Sequence, residues 1–321
     1  YLLATAPGPG EQVAWGESNA VAFANSVIGA WTEKYPDYLD LCVALTGRAP
    51  KAGCHRAEAR LARRVIEVAA PTRIDDAFFP LLGLVIGALS PNAIPAVTGL
   101  ERLSPTRDDL KAFAAAFATL SAAPMFHLVG LTPEAPDLGA CLAADADRTP
   151  IRVDNATLGK AWRGVAGEPG TTIDIACVAI GNPHASLEEL TRLAALCDGH
   201  RKAPQVAAMI TTGRDIRDAA RASGALATLE AFGFEVIVDT CWCMLTRPLV
   251  PAAHGAILTN SGKYAHYGPG LIEGTVRLAS LAACVEAAVS ARHQAHEPGW
   301  LTPPTAWCMK AGATMCWAHT S

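Results

Sequence analysis

Residues 171–210 read TTIDIACVAIGNPHASLEELTRLAALCDGHRKAPQVAAMI, in which an apolar run, a helical pattern and a second apolar run follow one another. The same alternation continues to Gly262. Apolar strands that alternate with helices are typical of a parallel sheet covered by helices. The stretch therefore predicts an α/β fold built on a parallel sheet.

Local signals place the elements of this unit. The sequence from Ser186 to Glu189 is a capping box, which opens a helix, and Gly233 is a helix stop. The predicted elements are a strand at 173–181, a helix at 186–196, a strand at 205–210, a helix at 214–232, a strand at 234–238 and a strand at 256–258.

A second α/β unit is predicted upstream. Its strands are expected at 82–89, 94–97 and 125–130, and its helices at 20–29 and 104–120. A segment at 145–170, rich in Asp, Arg, Gly and Pro, separates the two units. We therefore expect a first α/β part at 1–150, a second at 151–292 that carries the Cys241 and Lys263 loops, and a poorly ordered tail at 293–321.

Composition limits the classes of partner. The 321 residues carry a formal charge of -4 without a basic block, which argues against nucleic acid and anionic membranes. The longest apolar run, 78–89, is too short to span a bilayer. The ten cysteines are scattered, and no signal peptide opens the chain, so we expect a cytoplasmic protein. A small organic molecule is the expected ligand.

Reactive groups follow several of the predicted strands. In an open parallel sheet, ligands bind beyond the carboxyl ends of the strands. Residues 182–184, 211–214, 239–241 and 260–263 should therefore face one crevice, where helix N-termini add donors for an anion.

Two cysteines and a histidine are the first candidates for chemistry. Cys241 ends a strand and could ligate a metal or act as a nucleophile, although many free cysteines are core residues. In an extended chain the side chains of Cys241 and Cys243 would point to the same face, and both could reach the crevice. A turn after the strand would keep one of the two thiols out of the crevice, and we favour Cys241 as the one that reaches it. Cys177 lies inside a strand and is more typical of a core thiol. His184 could donate to a substrate oxygen or transfer a proton, or it could cap loop backbone.

Polar side chains supply candidates for substrate binding. Lys263 could clamp a carboxylate, and Asn260 and Ser261 could share that contact, although a lysine after a turn is often only a surface residue.

Three polar residues interrupt an apolar helical segment near the N-terminus. Asn19, Asn25 and Ser26 need hydrogen-bond partners, so they either hold neighbouring backbone or line a pocket. Arg48 offers a loop guanidinium for a carboxylate, with a surface arginine as the alternative.

Six ordered segments together resemble the large, catalytic part of the aconitase X family over about residues 1–292. They are GEQVAWGESNAVAFANSVIGAWT (10–32), LTGRAP (45–50), FHLVGLTPEAP (126–136), GNPHASLEEL (181–190), VDTCWCML (238–245) and TNSGKYAHYGPG (259–270). The resemblance implies an aconitase-like α/β fold, with parallel sheets flanked by helices in more than one subdomain.

The same resemblance implies a hydro-lyase that carries an iron–sulfur cluster or mononuclear iron. Family members dehydrate cis-3-hydroxy-L-proline or mevalonate 5-phosphate and need a small swivelling domain, fused or separate. The DTCWCM and GNPH segments are closer to those of the hydroxyproline enzymes. We therefore expect dehydration of cis-3-hydroxy-L-proline to 1-pyrroline-2-carboxylate. A non-catalytic α/β module that binds a small carboxylate is the alternative from a different class.

The resemblance also implies roles for individual residues. Cys241 would ligate iron, with Cys177 or Cys243 as an uncertain further ligand. His184, Lys263 and Ser261 would be catalytic. Substrate positioning would fall to Asn19, Asn25, Ser26, Arg48 and Asn260. The family has a further cysteine ligand just before the segment that matches Tyr1, and its small domain supplies a catalytic serine. We therefore expect this chain to be truncated at the N-terminus and inactive alone.

Overall fold

The structure is a computed structural model that describes residues 5–245, 250 and 255–301. Its first α/β unit contains ten helices and strands. In order they are α1 (Ser18–Phe23), α2 (Leu39–Thr46), β1 (Ala62–Val68), α3 (Phe78–Leu89), β2 (Pro95–Thr98), α4 (Arg107–Leu120), β3 (His127–Leu128), α5 (Leu138–Cys141), β4 (Leu142–Val153) and α6 (Asn155–Ala166). Short 3-10 turns add Gly53–His55 and Ala57–Arg60, and a π-helical turn, Ala24–Ile28, continues α1.

The second α/β unit follows directly. Its elements are β5 (Thr172–Ala185), α7 (Leu187–Cys197), β6 (Ala207–Thr212), α8 (Arg214–Ser223), α9 (Ala225–Phe232), β7 (Glu235–Val238), β8 (Ala256–Thr259), α10 (Gly262–Ile272), β9 (Val276–Leu278), α11 (Leu281–Ser290) and β10 (Arg292–Gln294). A 3-10 turn, Trp242–Met244, lies between β7 and β8.

The two units have separate sheets. The first sheet has the strand order β3-β2-β1-β4, and all of its pairs are parallel. The second has the order β7-β6-β5-β8-β9, also parallel, and β10 adds an antiparallel pair to β5. Each sheet packs against helices in an apolar core. The predicted α/β fold with parallel sheets flanked by helices is therefore confirmed.

Strand β5 lies at the centre of the second sheet and is buried along most of its length. The capping box predicted for the following helix is present: Ser186 Oγ accepts from the amide of Glu189, and the Glu189 carboxylate accepts from the amide of Ser186. This cap fixes the turn that connects the end of β5 to α7.

One predicted element is wrong and another is divided in two. Residues 82–89 form part of helix α3 instead of a strand, because a run that is apolar all round suits a fully buried helix as well as a buried strand. Residues 214–232 form two helices instead of one, since Gly224 adopts a left-handed conformation between α8 and α9. Glycine reaches that conformation without a steric cost.

The segments at the predicted boundaries are folded. Residues 145–170 include the end of β4 and all of α6. The tail expected to lack order from residue 293 begins instead with β10 and with Trp300, whose indole donates to Asp75 and packs against Phe78. Residues 302–321 lie outside the described residues, and the division of the chain at residues 150 and 292 stays a prediction. Among the described helices, none is long and apolar enough to cross a membrane.

Close helix packing in the first unit depends on Gly83. A Cβ atom at this position of α3 would lie 2.5 Å from the carbonyl oxygen of Phe113 and 2.8 Å from Cβ of Ala116, both on α4. We expect Gly83→Ala to lower the free energy of unfolding by about 1–3 kcal/mol, because α3 and α4 would have to separate. Gly164→Ala is the control.

Gly164 lies inside α6, and a Cβ atom added to it would meet no other atom within 4 Å. Alanine there should stabilise the protein by up to about 1 kcal/mol through its better helix propensity. Denaturant unfolding of both variants measures the two effects. Equal unfolding free energies for the two variants would contradict the packing argument.

Candidate active site

A cavity of about 410 Å³ lies at the carboxyl ends of the strands of the second sheet. The carboxyl end of β5 and the segments after β6 and β7 form one side, and α1, α4 and α10 of the two units close the other. Its lining residues include Glu17, Asn19, Lys111, Asn182, His184, Arg214, Asp239, Cys241 and Lys263. The predicted crevice therefore exists, and it lies between the two α/β units.

Cys241 reaches this cavity just before the 3-10 turn that follows β7. Hydrogen bonds from Cys243, including its amide 3.4 Å from Sγ of Cys241, lower the pKa of Cys241 to about 6, although partial burial opposes them. The nearby ammonium of Lys263 also lowers it. Cys241 therefore presents a thiolate near neutral pH, while the turn leaves Cys243 outside the cavity lining.

Lys263 enters the cavity from the first turn of α10, where Gly262 lets the helix approach the first unit. A Cβ on Gly262 would lie 2.7 Å from the carbonyl oxygen of Pro80. Nζ of Lys263 donates to Glu17 at 2.9 Å and to Asn19 at 3.4 Å. Burial lowers the pKa of Lys263, but the charge of Glu17 and the neighbouring thiols raise it more, so the lysine stays protonated.

His184 lines the cavity at the end of β5, and its Nε2 lies 2.7 Å from the carbonyl oxygen of Thr240. A carbonyl can only accept a hydrogen bond, so Nε2 carries the proton. In the neutral imidazole, Nδ1 is then the atom that can accept a proton.

Arg214 and Asp239 form the outer rim of the cavity. Asp239 accepts from the amide of Arg214 at 3.0 Å and from its Nε at 2.5 Å, and so caps α8 from the next strand. These two bonds hold the pKa of Asp239 below its ordinary value. The positive φ of Asp239, 55°, is tolerated better by Asp than by most residues and turns its carboxylate to this role.

A buried ion-pair network supports the cavity, and the sequence patterns did not reveal it. Nζ of Lys111 lies 2.9 Å from Asp108, contacts the carboxylate of Glu189 and donates to the carbonyl oxygen of His184 at 3.1 Å. Ser186 donates to Asp108 at 2.6 Å. Burial lowers the pKa of Lys111, but its two carboxylate partners raise it more, so it stays charged. In sequence, Lys111 is indistinguishable from a surface lysine on a helix.

Asn182, Asn260 and Ser261 line a second, small cavity of about 20 Å³ that shares Lys111 with the large one. Ser261 caps α10 by accepting from the amide of Tyr264 at 3.0 Å, and its hydroxyl donates to the carbonyl oxygen of Asn182. Ser261 is thus held by backbone, and neither Asn260 nor Ser261 lines the large cavity that Lys263 enters.

Asn25 and Ser26 hold backbone and do not line either cavity. Asn25 donates to the carbonyl oxygen of Thr32 at 3.0 Å and accepts from the guanidinium of Arg60 at 2.9 Å. Ser26 accepts from the amide of Phe126 at 2.8 Å. Of the two interpretations of these side chains, the structure favours the one in which they tie down neighbouring segments.

Arg48 and Cys177 also lie away from the cavity lining. Arg48 is exposed in the loop after α2. Cys177 is fully buried in the core face of β5, and burial raises its pKa to about 12. A protonated thiol without access to the cavity is a poor metal ligand, so the expectation that Cys177 binds metal does not agree with its position.

The described residues do not form a complete metal site. Within them, no group of three or more His, Cys, Asp or Glu side chains is close enough to hold an ion. Cys241 alone offers a thiolate to the cavity, which fits one ligand position.

Family models described as the first, second and third domains of Aconitase X match residues 1–58, 62–163 and 175–290. The chain belongs to the aconitase X family. It is 53% identical over 302 residues to a cis-3-hydroxy-L-proline dehydratase of Pseudomonas aeruginosa, covering 94% of this chain and 52% of the relative. A cis-3-hydroxy-L-proline dehydratase of Hypocrea jecorina is 48% identical, with 98% and 52% covered.

A less similar relative is the phosphomevalonate dehydratase large subunit of Methanothermobacter thermautotrophicus, 31% identical over 84% of this chain and 64% of the relative. A crystal structure of Thermococcus kodakaraensis aconitase X in its holo-form superposes with a TM-score of 0.76 at 28% identity, covering 88% of this chain and 69% of that one. The chain spans about half the length of the two hydroxyproline relatives.

The Lys111 network of this aconitase X chain predicts a large stability effect. We expect Lys111→Met to lower the free energy of unfolding by about 3–5 kcal/mol, because Asp108 and Glu189 would be left as unpaired buried carboxylates. Arg63→Met, which breaks an exposed pair with Asp145, should leave the melting temperature nearly unchanged. Thermal and denaturant unfolding compare the two variants. A similar loss of unfolding free energy in both would contradict a stabilising role of the buried Lys111 network.

The cysteine pair predicts the pH dependence of thiol reactivity in the metal-free protein. Alkylation of Cys241 should rise with pH through about 6, because its pKa is lowered and the thiolate is the reactive form. Cys243→Ala should shift this midpoint towards higher pH by removing the thiol donor, whereas Cys243→Ser keeps a donor and should shift it less. Peptide mass spectrometry after timed alkylation gives the midpoint, and an unchanged midpoint in Cys243→Ala would contradict the assignment.

Proposed function

We propose that the protein to which this chain belongs is a hydro-lyase that dehydrates cis-3-hydroxy-L-proline to 1-pyrroline-2-carboxylate. The observation that carries the proposal is the convergence of Lys263, His184 and Cys241 on one cavity between the two units. The similarity to two dehydratases of this substrate supports it. Because the chain spans about half the length of these relatives, the activity is proposed for the whole protein.

The reaction needs a proton acceptor and a route for the leaving hydroxyl. The proton on the ring carbon next to the carboxylate is removed, the neighbouring C–O bond breaks, and the hydroxyl leaves as water after protonation. The carbon–carbon double bond formed in this way then isomerises to the cyclic imine of the product.

Lys263 and His184 suit the first part of this reaction. The protonated Lys263 would bind the substrate carboxylate by a charge-assisted hydrogen bond. His184 would remove the adjacent proton through Nδ1, since Nε2 is held by Thr240. The carbonyl of Thr240 also stabilises the imidazolium that results, because Nε2–H becomes a stronger donor.

We propose further that Cys241 ligates iron, either mononuclear or in an iron–sulfur cluster. Such a group would supply Lewis acidity to the leaving hydroxyl. The low pKa of Cys241 and its position in the cavity support one ligand, and the described residues bring no group of three or more His, Cys, Asp or Glu side chains together to hold an ion. Asn19, beside Lys263, and Asn260 would contribute to substrate positioning.

The small swivelling domain, fused or separate, remains part of the proposal. One of the archaeal relatives is named as a large subunit, which supports a second component in the family. A reducing, cytoplasmic setting is supported by the eight cysteines of the described part of the chain, all of which are free thiols.

Turnover by the whole protein tests the proposed reaction. We expect cis-3-hydroxy-L-proline to lose one water to give a pyrroline-2-carboxylate, detected by mass spectrometry. Cys241→Ser should lower the rate by about a hundredfold or more, because a lost ligand weakens a Lewis acid worth several kcal/mol. Cys42→Ser, which replaces an exposed cysteine, is the matched control and should keep the wild-type rate.

Other outcomes of this assay have clear meanings. Turnover of mevalonate 5-phosphate in place of the imino acid would reverse the substrate, in line with the more distant relatives. Absence of iron, together with an unchanged rate in Cys241→Ser, would refute the metal-dependent hydro-lyase. Binding of a small carboxylate without turnover would favour the non-catalytic α/β module.

A further inference from the structure

Glu17 brings a carboxylate into the cavity next to the proposed carboxylate clamp. It lies at the N-terminus of α1, in the first unit, and Oε1 accepts from Nζ of Lys263 at 2.9 Å. The side chain of Lys263 is only 13% exposed, while that of Glu17 is 62% exposed. The Glu17 carboxylate can therefore accept further hydrogen bonds besides the one from Lys263, because a carboxylate has lone pairs for several donors and this one is open to the cavity.

The charged side chains around the cavity show no excess of cations. Its lining has three cations and three carboxylates; these are Lys111, Arg214 and Lys263, and Glu17, Asp215 and Asp239. A site for a ligand with several negative charges would be expected to carry an excess of cations. A lining without an excess of cations is complementary instead to a ligand that carries both signs.

We propose that Glu17 is a specificity-determining residue, which binds the ring ammonium of a cyclic imino acid while Lys263 binds the carboxylate of the same molecule. This inference rests on the proposed function and deepens it, since it names the group that distinguishes an imino acid from other hydroxy acids.

The spacing of the two charges supports this assignment. In an α-imino acid the nitrogen and the nearer carboxylate oxygen are three bonds apart, on the order of 3 Å. The opposite charges of Glu17 and Lys263 are 2.9 Å apart. With such a ligand bound, four charges alternate in sign around a closed ring, so each charge has two neighbours of opposite sign and none of its own.

The same pair disfavours an open-chain phosphate ester. Mevalonate 5-phosphate has a carboxylate at one end, a phosphate at the other and no cation. A carboxylate bound at Lys263 would then lie next to Glu17 without a compensating charge, and like charges at hydrogen-bond distance repel. Glu17 thus acts both by attraction of the imino acid and by repulsion of the alternative.

Two ligands that differ in one ring atom test the role of Glu17. L-proline keeps the ammonium and the carboxylate but lacks the hydroxyl that leaves, and (S)-tetrahydrofuran-2-carboxylate replaces the ring nitrogen by oxygen. Calorimetry on the whole wild-type protein should give tighter binding of L-proline. Glu17→Gln keeps the shape of the side chain and removes its charge, and should weaken L-proline about tenfold while changing the oxygen analogue by less than about threefold.

Glu17→Asp is the matched variant, since it keeps the charge on a shorter side chain and should retain a preference for L-proline. Equal weakening of both ligands in Glu17→Gln would overturn the inference, because Glu17 would then act only by holding Lys263. A wild-type protein that does not distinguish the two ligands would overturn it as well.

Turnover of cis-3-hydroxy-L-proline by the same wild-type preparation separates this inference from the proposed function. If turnover occurs while the ligands respond equally to Glu17→Gln, only the inference fails. If the imino acid is not dehydrated and mevalonate 5-phosphate is, the proposed function fails with it.

Discussion

The buried ammonium of Lys111 is the interaction on which the arrangement of the site depends. It comes from α4 of the first unit and meets Glu189 of α7 and the carbonyl oxygen of His184 in the second. A charge removed from water needs partners, and besides Asp108 on its own helix, Lys111 finds two of them in the second unit. The network therefore specifies how the two units meet, and it fixes the end of β5 that carries His184.

Two of the cations that line the cavity are oriented by ion pairs with carboxylates. Lys263 and Arg214 each reach it already bound to a carboxylate, Glu17 and Asp239 respectively. Each carboxylate orients its cation, and Glu17 also lowers the cost of keeping the mostly buried Lys263 out of water. A ligand carboxylate can then join a pre-oriented cation with little further loss of side-chain entropy.

Most helices and strands of the second unit can be predicted from the sequence, because the patterns that indicate them are local. The strand at 173–181, the capping box at Ser186 and the helix stop at Gly233 depend on residues close together in the chain. The prediction for residues 82–89 is wrong, because an apolar run has no period that separates a buried helix from a buried strand.

The sequence predicts the residues of the candidate site that follow the strands, but not the roles of the polar residues near the N-terminus. The rule for parallel sheets places His184, Cys241 and Lys263 at one edge once the strands are known, and all three line the cavity. Asn25 and Ser26 are grouped with them because an unpaired polar residue in an apolar segment needs a partner, but sequence does not say whether that partner is a ligand or backbone. Their partners are Thr32, Arg60 and Phe126.

The sequence alone determined the family, the α/β class and the strand ends from which chemistry is expected, since these follow from short-range pattern and ordered motifs. Only the tertiary structure decided which groups of the first unit meet those strand ends in the cavity. Glu17 and Lys263 are 246 residues apart in the chain, and Lys111 and Glu189 are 78 apart. Contacts of that kind are set by how two separate cores pack, and no local pattern encodes the charge that a side chain will meet there.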